Sequence, residues 1–312
     1  MARLARFKVE CGEGWYHVHA RAAGRSGEYP LEEVGCRRKL IGLLKHFGRA
    51  YACQLAAFCV MGNHWHAVLH FEAPGNPDES ELLARARLFY PGRAGRELLA
   101  GWTEEQWERF SRRIYDVSEF MRNVQGEFAR WYNNTFDRVG RFWADRFRST
   151  LLEDEEAVLE CMMYVELNPV RAGLVKRPED YEGSSFFLRS IGKAEWLMTM
   201  RWLIASRRER DSLGEYRHRL YWRGSIPTRE GQARIPEDLA KREAERGHSR
   251  SGAFLKRMRY FSEGLAVGSE VFVRRQLTRM RREGRYRRRI NPVPQHAGHF
   301  SLREQRSHAV PL

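Results

Sequence analysis

Two apolar runs, Gln54 to Met61 and His64 to Phe71, are separated only by Gly62-Asn63. A dipeptide of that kind between apolar segments closes a tight antiparallel hairpin, so two paired strands are the fixed point for the rest of the chain. Upstream, Arg6 to Arg21 reads as a strand interrupted near Gly12 and Gly14, with Tyr16, Val18 and Ala20 alternating against His17, His19 and Arg21. Between this strand and the hairpin, Tyr29-Pro30 opens a helix. Its Leu40, Leu43, Leu44 and Phe47 recur at helical spacing, and Gly48 is expected to end it. A helix with one apolar face beside strands with one apolar face packs onto them as a layer.

Downstream, Ser80 to Tyr90 reads as a short helix and Thr103-Glu104-Glu105-Gln106 as a capping box. The stripe Val117, Phe120, Met121, Val124, Phe128 and Trp131 follows one helix face. Arg138 to Leu152 reads as extended and basic, and Glu153-Asp154-Glu155-Glu156 as a helix start with acids where the macrodipole favours them. Val158, Cys161, Met162 and Val165 continue that helix, and Pro169 stops it. The pattern is α+β: an antiparallel sheet with helices packed on it.

Beyond about residue 176 the apolar period breaks up. Residues 1–190 read as one domain, 191–250 as linker or extension, 251–290 as a helical unit and 291–312 as a tail. In the third segment, Phe261 to Glu270 reads as helix and glycine-containing turn, followed by a second helix capped by Ser269. That order suits a helix-turn-helix or a helical clip.

The formal net charge is +15 and the pI near 10.0, with arginine in excess. A polyanionic partner follows from that balance, because guanidinium forks onto phosphate and stacks on bases. No apolar stretch approaches the ~18 residues of a bilayer span, and no h-region follows the basic N-terminus. The expectation is a soluble cytoplasmic protein, nucleoid-associated through its charge, without a membrane partner. Cys11, Cys36, Cys53, Cys59 and Cys161 are odd in number and lie far apart. They read as reduced thiols, neither a disulfide framework nor a zinc site.

Side chains at i and i+2 of a strand share a face, so His64 and His66 can present two imidazoles to one divalent cation. His17 and His19 have the same spacing, and spacing alone does not choose between the pairs. Tyr164 and Asn168, four apart, share one helix face. A tyrosine can attack a phosphodiester where a cation polarises the phosphate, and an amide oxygen from Asn168 could complete the metal shell. Tyr16, Tyr51, Tyr115 and Tyr132 are equally available to a core role.

Met61-Gly62-Asn63-His64-Trp65-His66-Ala67-Val68 resembles the M-P-N-H-x-H-x-x segment of the REP-associated tyrosine transposases, members of the HUH single-strand nucleases. Tyr164-Val165-Glu166-Leu167-Asn168-Pro169-Val170-Arg171-Ala172-Gly173-Leu174-Val175 is similar to that family's Y-I-H-L-N-P-V-R-A-G-L-V block. Between them, Tyr132-Asn133-Asn134, Gly140-Arg141-Phe142-Trp143 and Arg146-Phe147-Arg148-Ser149 resemble its middle block, and Gly14-Trp15-Tyr16-His17-Val18 its first strand. The likeness covers about residues 7–190.

The resemblance implies a ferredoxin-like sheet, with Mg²⁺ or Mn²⁺ on His64 and His66, Asn168 as polar third ligand and Tyr164 as nucleophile. It further implies cleavage and rejoining of single-stranded, palindromic repeat DNA through a 5′-phosphotyrosine, by a monomer or homodimer. Arg171, and Arg279, Arg281, Arg282, Arg285, Arg287, Arg288 and Arg289 in the C-terminal basic extension, are the candidate DNA contacts. Gly62 departs from the family's proline. Glu166 departs from its histidine and is expected at the surface or behind the site. A replication-initiator or relaxase-type nickase, or a non-catalytic nucleic-acid-binding protein, are the alternative readings.

Overall fold

A computed structural model of the chain describes every residue except 1–6, 10–11, 26, 228–230, 247–263, 287–289, 296–297 and 304–312. Cys11 and Arg287 to Arg289 therefore lie outside the described residues. The fold is α+β, and the chain divides into two compact units. One comprises residues 9–147 and 183–198, the other 1–8, 148–182 and 199–312.

The first unit carries His64 and His66. Its strands are β1 (Gly14–Arg21), β2 (Cys53–Val60) and β3 (His64–Phe71), all antiparallel in the order β2-β3-β1. With helix α1 (Val34–Ala50) between β1 and β2, this is the arrangement of the first three strands of a ferredoxin-like sheet. The Gly62-Asn63 hairpin forms as expected, closed by Met61 N donating to His64 O at 2.8 Å. Alternation places Tyr16, Val18, Ala20, Trp65, Ala67, Leu69 and Phe71 on one sheet face, all of them buried. Burying the larger of these side chains, such as Val18, Leu69 and Phe71, stabilises the unit by about 2 kcal/mol each.

Helix α1 and helix α5 (Val117–Thr135) carry the stripes predicted for them. They are buried through Leu40, Leu44 and Phe47, and through Phe120, Val124 and Phe128 respectively. Phe120 meets Phe71 edge to face at 6.0 Å, which fixes α5 on the apolar side of the sheet. Gly48 does not end α1, which runs on to Ala50. A Cβ at Gly48 would lie 2.8 Å from Leu55 Cδ1, so this glycine lets helix and strand approach closely.

Between β3 and α5 lie α2 (Glu79–Phe89), α3 (Gly92–Ala100) and α4 (Glu104–Arg113), the last opened by the Thr103/Gln106 capping box. Their shared core of Leu82, Ala86, Leu99, Phe110 and Ile114 is ringed by Phe89, Tyr90, Trp102 and Trp107. Of residues 138–152, expected to be extended, 148–152 form a strand, whereas 138–147 are irregular with several bends; Asp137 just before them has φ 47°. A single antiparallel bridge, Ala22 to Trp143, and a bond from Ala144 N to Arg21 O at 3.0 Å hold this segment to the end of β1.

The second unit carries Tyr164. It has β4 (Arg148–Leu152), helix α6 (Glu155–Glu166), the short α7 (Asn168–Arg171), α9 (Glu209–Ser225) and α10 (Glu237–Arg246). The short helix α8 (Ser185–Ser190) belongs to the first unit. After α10 come β5 (Gly264–Gly268), α11 (Glu270–Arg282), β6 (Val293–Pro294) and β7 (Phe300–Arg303). Strand β5 runs parallel to β4 and antiparallel to β7, which also pairs with β6.

Gly264 to Gly268 is thus a strand, where the sequence reads as the end of a helix and its turn. Leu265-Ala266-Val267 is too short to show a period, and pairing with β4 and β7 decides its state. Residues 209–225 and 237–246, read as linker, are helical. Arg217 joins them to residue 179, with Glu179 at 2.6 Å and Glu243 at 2.8 Å. Ser269 caps α11 as predicted, and Glu153 accepts from Ser269 N and, at 3.1 Å, from its hydroxyl. Glu153 therefore serves the N-terminus of α11 rather than that of α6. Asp154 is the N-cap of α6, accepting from Ala157 N at 2.8 Å. Among the described residues no helix is long and apolar enough to cross a membrane.

Asp154 also faces His299 Nε2 at 3.4 Å. That contact lowers the Asp154 carboxyl below its ordinary 3.8 and raises His299 above its ordinary 6.5, with Glu160 and Glu156 adding to the latter. A raised histidine stabilises the fold fully below pH 6.5 and loses its contribution as pH rises through the folded value. A depressed carboxyl contributes above pH 3.8 and fails as pH falls through its folded value. Urea unfolding of wild type against His299→Ala will therefore show the largest stability gap between about pH 4 and 6.5, narrowing at pH 8 and above.

Candidate active site

The pairing of β1 with β3 sets His19 opposite His66, Arg21 opposite His64 and Trp15 opposite His70. Residues directly opposite share a face, so Trp15, His17, His19, Arg21, His64, His66 and His70 all lie on the side of the sheet away from α5. The two H-x-H pairs are therefore neighbours. His66 stacks at 5.1 Å on His17 and 5.2 Å on His19, and meets His64 at 5.1 Å with the rings perpendicular. Sequence spacing treats His17 and His19 as competitors of His64 and His66. Strand pairing makes them one cluster, which a single strand's periodicity cannot show.

His66 Nδ1 lies 2.9 Å from His17 Nε2, and His64 Nδ1 lies 2.8 Å from Asn63 Oδ1. Burial, with Arg21 second, pushes His64 down to about 4. Burial and then His17, His64 and His19 hold His66 well below its ordinary value. Both rings are neutral at pH 7, the form that binds cations. His70 stands apart, tilted against Trp15 and 3.1 Å from Glu13.

Among the described residues no three His, Cys, Asp or Glu side chains are grouped to hold a metal ion. Cys59, which pairs with His66 across β2 and β3, is buried and directed at Met61 Sδ, 3.7 Å away. Cys36, Cys53, Cys59 and Cys161 are all buried and outside any disulfide.

The hairpin turn that starts β3 is tied on both sides. Leu31 N donates to Gly62 O and Ala22 N to Asn63 O, each at 2.8 Å. A Cβ on residue 62 would come within 2.9 to 3.2 Å of Tyr29, so glycine here admits the aromatic ring onto the turn. Tyr29 keeps about half its surface exposed beside it.

In the other unit, every residue from Ala157 to Val170 is buried except Tyr164 and Asn168. The two positions that share a helix face are thus the two that reach toward solvent. Pro169 has no N–H to offer Val165 O four residues back, so the helix must end. Asn168 Nδ2 takes over, donating to Tyr164 O at 3.0 Å and Val165 O at 3.3 Å. The amide nitrogen thereby caps α6. Glu166 is not at the surface: it is fully buried and accepts from Tyr216 Oη on α9 at 2.6 Å.

Of the arginines expected at DNA, Arg171 is half-exposed and Arg281, Arg282 and Arg285 are exposed. Arg279 is turned inward, donating to Lys8 O and lying 3.7 Å from Glu283. Arg285 pairs with Glu283 at 3.2 Å. The sequence reading omits Arg21, Arg138, Arg141 and Arg146, which are exposed in the histidine-bearing unit. The pairing of residues 22 and 143, with the bond from Ala144 N to Arg21 O, brings Arg21 and Arg141 into one region.

No protein-family profile and no curated protein matches the sequence. Among solved structures, the chain is similar to a REP-associated tyrosine transposase bound to a REP hairpin. The identity is 14% and the TM-score 0.36, over 62% of this chain and 87% of that one. A likeness of that degree establishes neither a common fold nor a common activity.

Replacing Asn168 by alanine leaves the Tyr164 and Val165 carbonyls without their side-chain donor. A cost of about 1 kcal/mol in denaturant unfolding is expected. Asn168→Ser, with a shorter donor, should recover part of it; no loss in either variant would remove the capping role.

Proposed function

We propose that the chain is a metal-dependent transesterase acting on single-stranded DNA, of the kind that cleaves and rejoins hairpin-containing repeats. The observation that carries this reading is the pair His64 and His66, neutral through burial and displayed side by side on one face of β3. The sequence block from Tyr164 to Val175, in which Tyr164 and Asn168 are the only residues up to Val170 that are not buried, agrees with it.

In this proposal His64 and His66 hold Mg²⁺ or Mn²⁺, with the Asn168 amide oxygen as a further ligand. The cation supplies polarisation of the scissile phosphate and offsets charge in the transition state. Tyr164 Oη forms the new bond to phosphorus as the P–O3′ bond breaks. The phenolic proton leaves to a base, and the departing 3′ oxygen is protonated. The resulting 5′-phosphotyrosine keeps the ester energy, so a 3′ hydroxyl of another strand can reverse the step without ATP.

Arginines supply the sequence-independent hold on the strand: the exposed Arg21, Arg141 and Arg146 in one unit, the half-exposed Arg171 and the exposed Arg281, Arg282 and Arg285 in the other. Arg287 to Arg289 extend the basic run in sequence.

Incubation with single-stranded hairpin DNA and Mn²⁺ should give a protein–DNA adduct that maps to Tyr164. Tyr164→Phe should abolish the adduct while changing DNA affinity less than about threefold, since one hydroxyl contributes little to backbone binding. An unchanged adduct yield would place the nucleophile elsewhere. His64→Ala should lose cleavage and metal dependence together; metal-independent cleavage by that variant would refute the assigned ligands.

A further inference from the structure

Asn63 occupies a hairpin turn, where asparagine often serves because it tolerates positive φ. That is not its role here. Asp137 is the only non-glycine residue with positive φ among the described residues, so the Asn63 backbone is one that other residues adopt. Its carbonyl is taken by Ala22 N, and the turn closes through Met61 N and His64 O. The distinctive feature of Asn63 is its side chain, whose Oδ1 lies 2.8 Å from His64 Nδ1.

A neutral imidazole carries one N–H and one lone pair, and a cation can bind only through the lone pair. An amide oxygen only accepts, so the Nδ1 atom that meets it must carry the proton. The lone pair of His64 is then at Nε2. Free neutral histidine prefers the opposite arrangement, with the proton on Nε2, so the choice must be imposed from outside the ring. Were the amide nitrogen to face the ring, it would donate to Nδ1 and put the proton at Nε2, where it would block a cation.

His66 meets the same constraint from the neighbouring strand. Its Nδ1 is 2.9 Å from His17 Nε2, so a cation on His66 must be held through Nε2. That requires His66 Nδ1 to carry the proton and His17 Nε2 to accept it. His17 sits diagonally across from His66 in the β1–β3 ladder, where long side chains reach each other.

We propose that Asn63 and His17 are positioning residues that fix His64 and His66 in the Nδ1–H tautomer, presenting both Nε2 lone pairs on one face of the sheet. For His64 the tautomer follows from the Asn63 contact alone; for His66 the direction of the bond with His17, like the value of both tautomers to a cation, rests on the metal-site reading above. Residues that orient a ligand ring in this way change metal affinity by roughly 10- to 100-fold when removed.

The test starts with the unmodified, metal-free protein. Long-range ¹H–¹⁵N correlation of the imidazole nitrogens at pH 7.5 should show Nδ1 protonated and Nε2 bare at both His64 and His66. A protonated Nε2 at His64 would overturn the role of Asn63, and one at His66 that of His17. Mn²⁺ titration should then find Asn63→Ala bound at least 10-fold more weakly. Asn63→Asp, which keeps an acceptor beside Nδ1, should bind at least as tightly as wild type. Wild-type affinity in Asn63→Ala, or weak binding in Asn63→Asp with the fold intact by circular dichroism, would overturn the proposal. Correct tautomers with no Mn²⁺-induced broadening of these rings would uphold the positioning and remove the metal site instead.

Discussion

The ladder between β1 and β3 is the interaction on which the rest depends. It sets His19 against His66 and Arg21 against His64, and in doing so decides which residues share a face. A slip by one residue would turn the histidines of one strand into the apolar layer beneath α1 and α5, and would move Tyr16, Val18 and Ala20 onto the histidine face. The cost of setting imidazoles among the apolar side chains of that layer, and of losing the packing against α1 and α5, holds the register. The chemistry of the histidine face is thus a by-product of the packing on the other face.

That coupling explains which parts of the site can be read from sequence. The Gly62-Asn63 hairpin, the α5 stripe, the Thr103 capping box and the end of α6 shortly before Pro169 are local, set by residues within one or two turns of each other. The face shared by His64 and His66 follows from strand alternation. The company of His17 and His19 does not, because it is fixed by a partner some fifty residues away. The same holds for Gly48, which looks like a helix terminator until Leu55 is placed against it.

The C-terminal part was the least legible for a related reason. Leu265-Ala266-Val267 is a strand because β4 and β7 flank it, and helices 209–225 and 237–246 are held by Arg217 between Glu179 and Glu243. Neither has a strong pattern of its own: Arg and Glu on every face blur the helical period that tertiary ion pairs later organise. Glu166 shows the converse. The sequence leaves Glu166 at the surface or behind the site, and it is Tyr216 Oη, distant in sequence, that meets its carboxylate inside the unit.

The turn beneath Tyr29 ties two distant positions into a single choice. With a tyrosine resting on residue 62, any side chain there, proline or alanine included, would have to displace the ring. The chain can have a stiffened turn or an aromatic cap over it, but not both at once. Homologues that carry proline at position 62 should therefore carry something smaller at position 29, and exchanging one residue without the other should disturb the loop that leads into His64.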